Sequence, residues 1–290
     1  AGNIQIVAAG APMAAARATE AVRGLTTGVG LSGVPISAMG NVSVSANTVL
    51  QFNSPDKLPA STNIMLLPLS RLVVNAAQTL AGLTGSGDLE FGSATLTLSH
   101  DDTKTFAGRL DGVNGVIAYG SNSGAGRLRV TSITAPNSAS YRVDSGTLDL
   151  EGNSSSGAIR IADGTLSGNG ATLGAVESLP TSNGKIAPLL ADLGTGNLSM
   201  AANLTFEATV NGAPVGQHSE LQVTGSVAIN ASGGTASLIV LSSVAIANGT
   251  AITIISNDGS DPVIGTFNGL PDGAVVVSNN SQPFVIDYQG

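Results

Sequence analysis

From Val34 onward, apolar residues recur at every second position, as in Val42/Val44, Leu96/Leu98, Leu128/Val130, Leu148/Leu150, Ile159/Ile161, Val227/Ile229 and Ile252/Ile254. Each run lasts three to six residues and ends at Gly, Asn, Asp or Ser. That alternation predicts short half-buried strands closed by turns. A helical period occurs once, near the start. Pro12 suits a first helical turn, Ala14 to Ala18 favour helix, and Gly24 offers a stop. Before it, Ala1 to Ala9 reads as a short apolar strand with Ile4 and Ile6 on one face. The predicted class is all-β, with a short N-terminal strand and helix.

The spacing implies more than hairpins. Gly146-Thr147-Leu148 recurs as Gly164-Thr165-Leu166, 18 residues on, with the strand Ala158 to Ile161 between the copies. Short strands recurring every 18 to 30 residues, with small polar corners, are what a parallel β-helix (β-solenoid) needs. In such a coil each strand pairs with its equivalent one rung away, at ~4.8 Å. Gly and Asn suit corners because those positions often require positive φ. At roughly 20 residues per rung, about 12–14 rungs would form a rod of about 60 Å. A stack of antiparallel β-sandwiches accommodates the same strand lengths and is the alternative.

Particular segments carry a resemblance. Leu80 to Gly87 (LAGLTGSG), Ala94 to Leu98 (ATLTL), Thr105 to Gly108 (TFAG), Ser145 to Leu150 (SGTLDL) and Asp163 to Gly170 (DGTLSGNG) resemble the passenger-associated β-strand repeat of autotransporter-type surface proteins. Gly265 to Ala274 (GTFNGLPDGA), followed by Phe284 to Tyr288 (FVIDY), is similar to that group's closing segment. The resemblance covers about residues 75–290 and implies a right-handed parallel β-helix, exported and exposed on a Gram-negative cell. The translocator barrel and anchoring tail of that group have no counterpart in the sequence, which leaves the export route open. The chain therefore divides into residues 1–33, an N-terminal strand with a capping helix or assembly segment, and residues 34–290, the β-helix.

Composition narrows the function. Zero Cys in 290 residues excludes disulfide frameworks, Cys-ligated zinc and thiol catalysis. Aromatics are 3% and Gly numbers 38, consistent with a narrow core of Val, Leu, Ile and Ala. The net charge of −8 argues against nucleic acid as a partner. The longest apolar candidate, Ala231 to Ile255, is broken by Gly233, Gly234, Asn248 and Gly249, so no transmembrane segment is predicted. The first ten residues lack a basic n-region, and an Ala start fits signal cleavage, so an extracellular or cell-surface location is expected. Charge is uneven. Residues 1–160 are neutral, whereas 161–290 hold Lys185 against nine acids. A solubilising surface accounts for this; steering of a basic middle onto an acidic tail of another subunit is the sharper alternative.

Chemistry is sparse. The two histidines, His100 in SHDD and His218 in GQHSE, follow or lie among turn residues and read as solvated loop positions. A Ser-His-Asp arrangement would need one of them held beside a nucleophile. Gly28 to Gly33 matches G-x-G-x-x-G without the strand before or helix after that a dinucleotide site needs, so it reads as a connector. Asn257 to Asp261 and Asp101-Asp102 are oxygen-rich, yet calcium takes six to eight oxygens and plain turns are expected. No catalytic, cofactor or metal residue is nominated. The ends are the informative positions, because an open solenoid exposes pairing groups there. Ile4, Ile6 and Val7 at one end, with Phe284, Val285, Ile286 and Tyr288 at the other, are the candidate assembly residues. The expected function is a non-enzymatic structural subunit of a surface layer or head-to-tail filament, with itself as partner. The alternative is a monomeric adhesin for host, matrix, surface glycans or other cells, through loops such as Ser121–Gly126 or Pro136–Tyr141. An enzyme acting on glycans ranks last, because nothing in the sequence fixes a carboxylate pair.

Overall fold

In-register pairing decides the architecture. Thr147 lies beside Thr165 and Leu148 beside Leu166 in a parallel ladder, so the 18-residue repeat is one coil of a parallel β-solenoid. The computed structural model describes residues 4–5, 29–31, 40–112, 114–131, 139–152, 157–170, 174–201, 203–230, 233–258 and 261–289. Among these the chain is all-β.

Three sides form as the chain winds. Side one is an 11-stranded sheet that begins at Ile4–Gln5 and Asn41–Val44 and ends at Ser237–Leu241. Side two is a 9-stranded sheet from Gln78–Leu80 to Val263–Gly265. Side three comes in two pieces, five strands ending at Leu110–Asp111 and three beginning at Asp192–Thr195. Between those pieces the described residues pass from side one to side two without a third strand. Pairing within these sheets is parallel throughout, as with Thr95–Ser99 on Val116–Gly120 and Thr205–Thr209 on Ser237–Leu241. The antiparallel exceptions among the described residues are a terminal hairpin, Val275–Val277 with Pro283–Val285, and a single bridge between Val210 and His218. Parallel ladders between successive coils are incompatible with the antiparallel sandwich alternative.

Eleven strands on the longest side is fewer than the expected 12–14 rungs. Coil length explains the difference. Thr165 follows Thr147 after 18 residues, whereas Ser237 follows its neighbour Thr205 only after 32. The last residues turn back as a hairpin instead of adding a rung. The predicted helix from Pro12 to Gly24 lies outside the described residues.

The core is a set of apolar columns. On side one Leu128, Leu148, Leu166, Ile186, Phe206 and Leu238 stack in register, all buried. Side two supplies Ile117, Tyr141, Ile159 and Val176 in the same manner. Burying each such side chain contributes about 1.5–3 kcal/mol. The alternation seen in the sequence is thus the inward face of each strand. Ile252 and Ile254 depart from it: they are half-buried, and the nearby strand is Ile255–Asn257.

Corners are tied from coil to coil by polar side chains. Asn183 donates its backbone N–H to Asp163 Oδ1 at 3.0 Å, Asn203 donates to Asn183 Oδ1 at 3.0 Å, and the Thr235 hydroxyl donates to Asn203. Asn75 donates to Asn53 at 2.8 Å along another edge. Such ladders satisfy corner groups that would otherwise lack partners.

Gly168 shows how tightly coils approach. Its φ is +126°, and a Cβ there would lie 1.9 Å from the carbonyl oxygen of Leu150, one coil away. Gly249 also has positive φ, at +84°, but lies in open space. Gly249→Ala is expected to cost about 1–2 kcal/mol, the conformational penalty alone. Gly168→Ala should cost at least about 1 kcal/mol more, because backbone must move as well. Urea denaturation of the two variants checks this, and equal losses would contradict the close-approach account.

Candidate functional site

His100 continues the inward alternation of Leu96 and Leu98, and this places its ring inside the solenoid. It is 6% exposed and its ring centroid lies 4.9 Å from that of buried Tyr119. The expectation of a solvated turn is therefore corrected: the turn is at the surface, but the imidazole packs under it. Nδ1 lies 3.0 Å from the backbone oxygen of Asp102. A carbonyl only accepts, so Nδ1 carries the proton and Nε2 keeps a buried lone pair without a partner. Burial holds the His100 pKa below its ordinary 6.5, against an opposing pull from the Asp102 carbonyl. The adjacent loop is knit separately. Ser121 donates to Asp101 Oδ1 at 2.6 Å, and this hydroxyl holds the Asp101 carboxyl below the usual range. The Ser121 backbone N–H donates to Ser145 Oγ at 2.7 Å. Ser121 is thus engaged by Asp101, while His100 Nε2 touches no hydroxyl.

The other nominated positions scatter. His218 is also 6% exposed rather than solvated, with Nε2 3.5 Å from Glu220. Val29–Leu31, inside the glycine motif, is a strand paired with Leu50–Phe52 rather than a connector. Asn257 ends a strand, and its amide donates to the Asp261 carbonyl. Among the described residues no group of three His, Asp or Glu side chains converges as metal ligands would. No helix among them is long and apolar enough to cross a membrane.

The two ends differ. Ile4 pairs in parallel with Val42 of the same chain, while Ile6 and Val7 lie outside the described residues. At the far end Phe284 and Val285 belong to the terminal hairpin, opposite Val276 and Val275. Ile286 is buried, and its N–H donates to the Ala274 carbonyl at 2.9 Å. The Tyr288 hydroxyl donates to the Leu270 carbonyl at 2.8 Å and accepts from the Phe267 N–H at 2.9 Å. Phe267 in turn lies between Tyr288 and Phe206, with centroids 6.4 and 6.3 Å away. The segment read as an open terminal strand therefore folds back over the last coil as a plug.

The described arginines are paired within the molecule. Each of the six described arginines meets a carboxylate: Arg71 with Glu90, Arg109 with Asp88 and Asp111, Arg127 with Asp149, Arg129 with Glu151, Arg142 with Asp144, and Arg160 with Glu177. Exposed pairs of this type contribute only about 0–1 kcal/mol each. They nonetheless leave no unpaired guanidinium among the described residues.

One concavity lies on the outer face of side one, a groove of about 390 Å³. Register builds it. Arg127, Thr147, Thr165 and Lys185 form one outward row, and Arg129, Asp149, Ser167 and Ala187 the next. Short Thr and Ser side chains in the middle coils lie between long charged ones on the flanking coils, so the surface dips. Leu189 and Leu190, which follow the Lys185–Pro188 strand, form a wall and are 38% and 41% exposed. Sequence reasoning missed this groove, although the Gly-Thr-Leu repeat already aligned its floor.

No family model, no curated protein and no solved structure matches the chain. What the geometry assigns must therefore come from the residues themselves.

The buried imidazole makes stability depend on pH. The unfolded chain takes up the His100 proton near pH 6.5, whereas the folded chain resists it, so His100 stabilises fully above that value and less as pH falls below it. Denaturation midpoints measured from pH 7.5 to 5 should fall further for the native chain than for His100→Gln. A larger fall in the variant would overturn the assignment.

Proposed function

We propose that the chain is a non-enzymatic, exported structural protein, a β-helix subunit of a bacterial surface layer or filament that associates with itself through its C-terminal end. One observation carries this reading: the outer face of the terminal hairpin. Val275, Val277 and Val285 are 56%, 59% and 70% exposed, and Pro283 beside them is exposed too. Val275 stands directly opposite Val285, and Val277 opposite Pro283. The other face of the same hairpin, Val276 and Phe284, packs against the core. A hairpin apolar on both faces has one face more than its own solenoid can cover, and contiguous exposed apolar surface is typical of interaction sites. Because the hairpin plugs the last coil, contact runs through its face rather than through a continuing rung.

Two further points support the reading. The parallel solenoid agrees with the fold half of the resemblance to autotransporter passengers, whose coil is right-handed and displayed on Gram-negative cells. The two histidines, the natural proton-transfer groups at neutral pH, are both packed inside. A second reading, a monomeric adhesin recognising surface glycans or other cells, is favoured by the groove on side one.

Val275→Glu/Val285→Lys places an opposite-charge pair across the hairpin, which preserves pairing while removing the apolar face. Sedimentation velocity and electron microscopy should find concentration-dependent association of the native chain and its loss in the double variant, with the urea midpoint within about 1 kcal/mol of native stability. A native chain that stays monomeric at its highest soluble concentration would refute self-association.

A further inference from the structure

The groove on side one has a composition that selects a ligand class. Its two ends are charged but locally neutral: Arg127 meets Asp149 at 2.7 Å, and Lys185 meets Glu207 at 2.6 Å. A polyanion would find no unpaired cation among these residues, and a cation would find no unpaired carboxylate pair. Between the ends lie hydroxyls in register, Thr147 beside Thr165 on the floor and Ser167 in the neighbouring row. Hydroxyls both donate and accept. A rung spacing of ~4.8 Å repeats this pattern along the groove.

Asp149 fixes one end of the groove from beneath. Its side chain is 3% exposed and lies directly beside Ser167, and its Oδ2 holds Arg127, which lines the groove. The exposed wall of Leu189 and Leu190 complements this with an apolar surface, suited to the C–H face of a sugar ring.

We infer that the groove between Arg127 and Lys185 binds a short, neutral saccharide, its hydroxyls bridging Thr147, Thr165 and Ser167 and its ring edge resting on Leu189 and Leu190. The volume, about 390 Å³, falls in the range of small-ligand sites. Since no aromatic platform lines the groove, affinity rests on hydrogen bonds and should be modest, with a dissociation constant on the order of millimolar. This gives the adhesin reading its ligand class and stands whether or not the chain associates with itself.

Amide-resolved NMR titrations of the full chain with maltotriose, cellotriose and a trigalacturonate test it. Amides of Thr147, Thr165, Ser167 and Lys185 are expected to shift with at least one neutral trisaccharide. Thr165→Ile, which fills the floor, should weaken binding at least ten-fold, and Thr97→Ile on side two should leave it unchanged. Leu190→Ser serves as a second groove variant should Thr165→Ile fail to fold, and it too should weaken binding. The absence of groove shifts with either neutral sugar up to its solubility would overturn the inference. So would tighter binding of trigalacturonate, or binding that survives a folded groove variant.

Discussion

Everything in this molecule depends on the parallel, in-register pairing of each strand with its equivalent one coil away. Backbone hydrogen bonds fix that spacing at ~4.8 Å and so dictate what each side chain meets. Leucine meets leucine or another apolar residue in the interior, as Leu148 meets Leu166. Asparagine meets asparagine at the corner, as Asn203 meets Asn183. On the outside the same rule joins unlike charges, as Arg160 and Glu177, directly opposite on successive coils. The surface is therefore a two-dimensional lattice whose rows are set by sequence distance. Depressions such as the groove on side one arise where adjacent coils place short residues at equivalent positions.

Much of this lattice was legible in the sequence. The alternation at Leu96/Leu98, Leu128/Val130, Leu148/Leu150 and Ile159/Ile161 named inward residues that are buried. The Gly-Thr-Leu repeat gave both the coil and its register. Two signals misled. Ile252 and Ile254 alternate correctly but lie in the long excursion after side one's last strand, where they pack half-buried against the core outside any strand. Phe284 to Ile286 is apolar at every position, as is Val275 to Val277, so alternation assigned no face to either. Pairing direction there is set by the Ser278–Ser281 turn, in which Ser281 has φ of 69°.

The functional residues were less legible, for a different reason. His100 sits two positions beyond Leu98, and the alternation alone marked it as inward; the neighbouring Asp101 and Asp102 gave the opposite impression by their polarity. The two aspartates are exposed while the histidine is buried, so adjacent residues on one turn occupy different environments. The groove required knowing that Lys185 falls in register with Thr165, although its strand, Lys185-Ile186-Ala187-Pro188, lacks the Gly-Thr-Leu signature. Coils of unequal length make that alignment a property of the fold rather than of any fixed period.

The identity of Thr147-Leu148 with Thr165-Leu166 means that, at these two positions, successive coils present the same side chains to one another. Removing or duplicating one such period would shorten or lengthen the shaft while leaving both termini chemically unchanged. Reach and tip chemistry are thus separable in this architecture, and a lineage can adjust how far the C-terminal hairpin stands from the start of the shaft without redesigning what the hairpin touches.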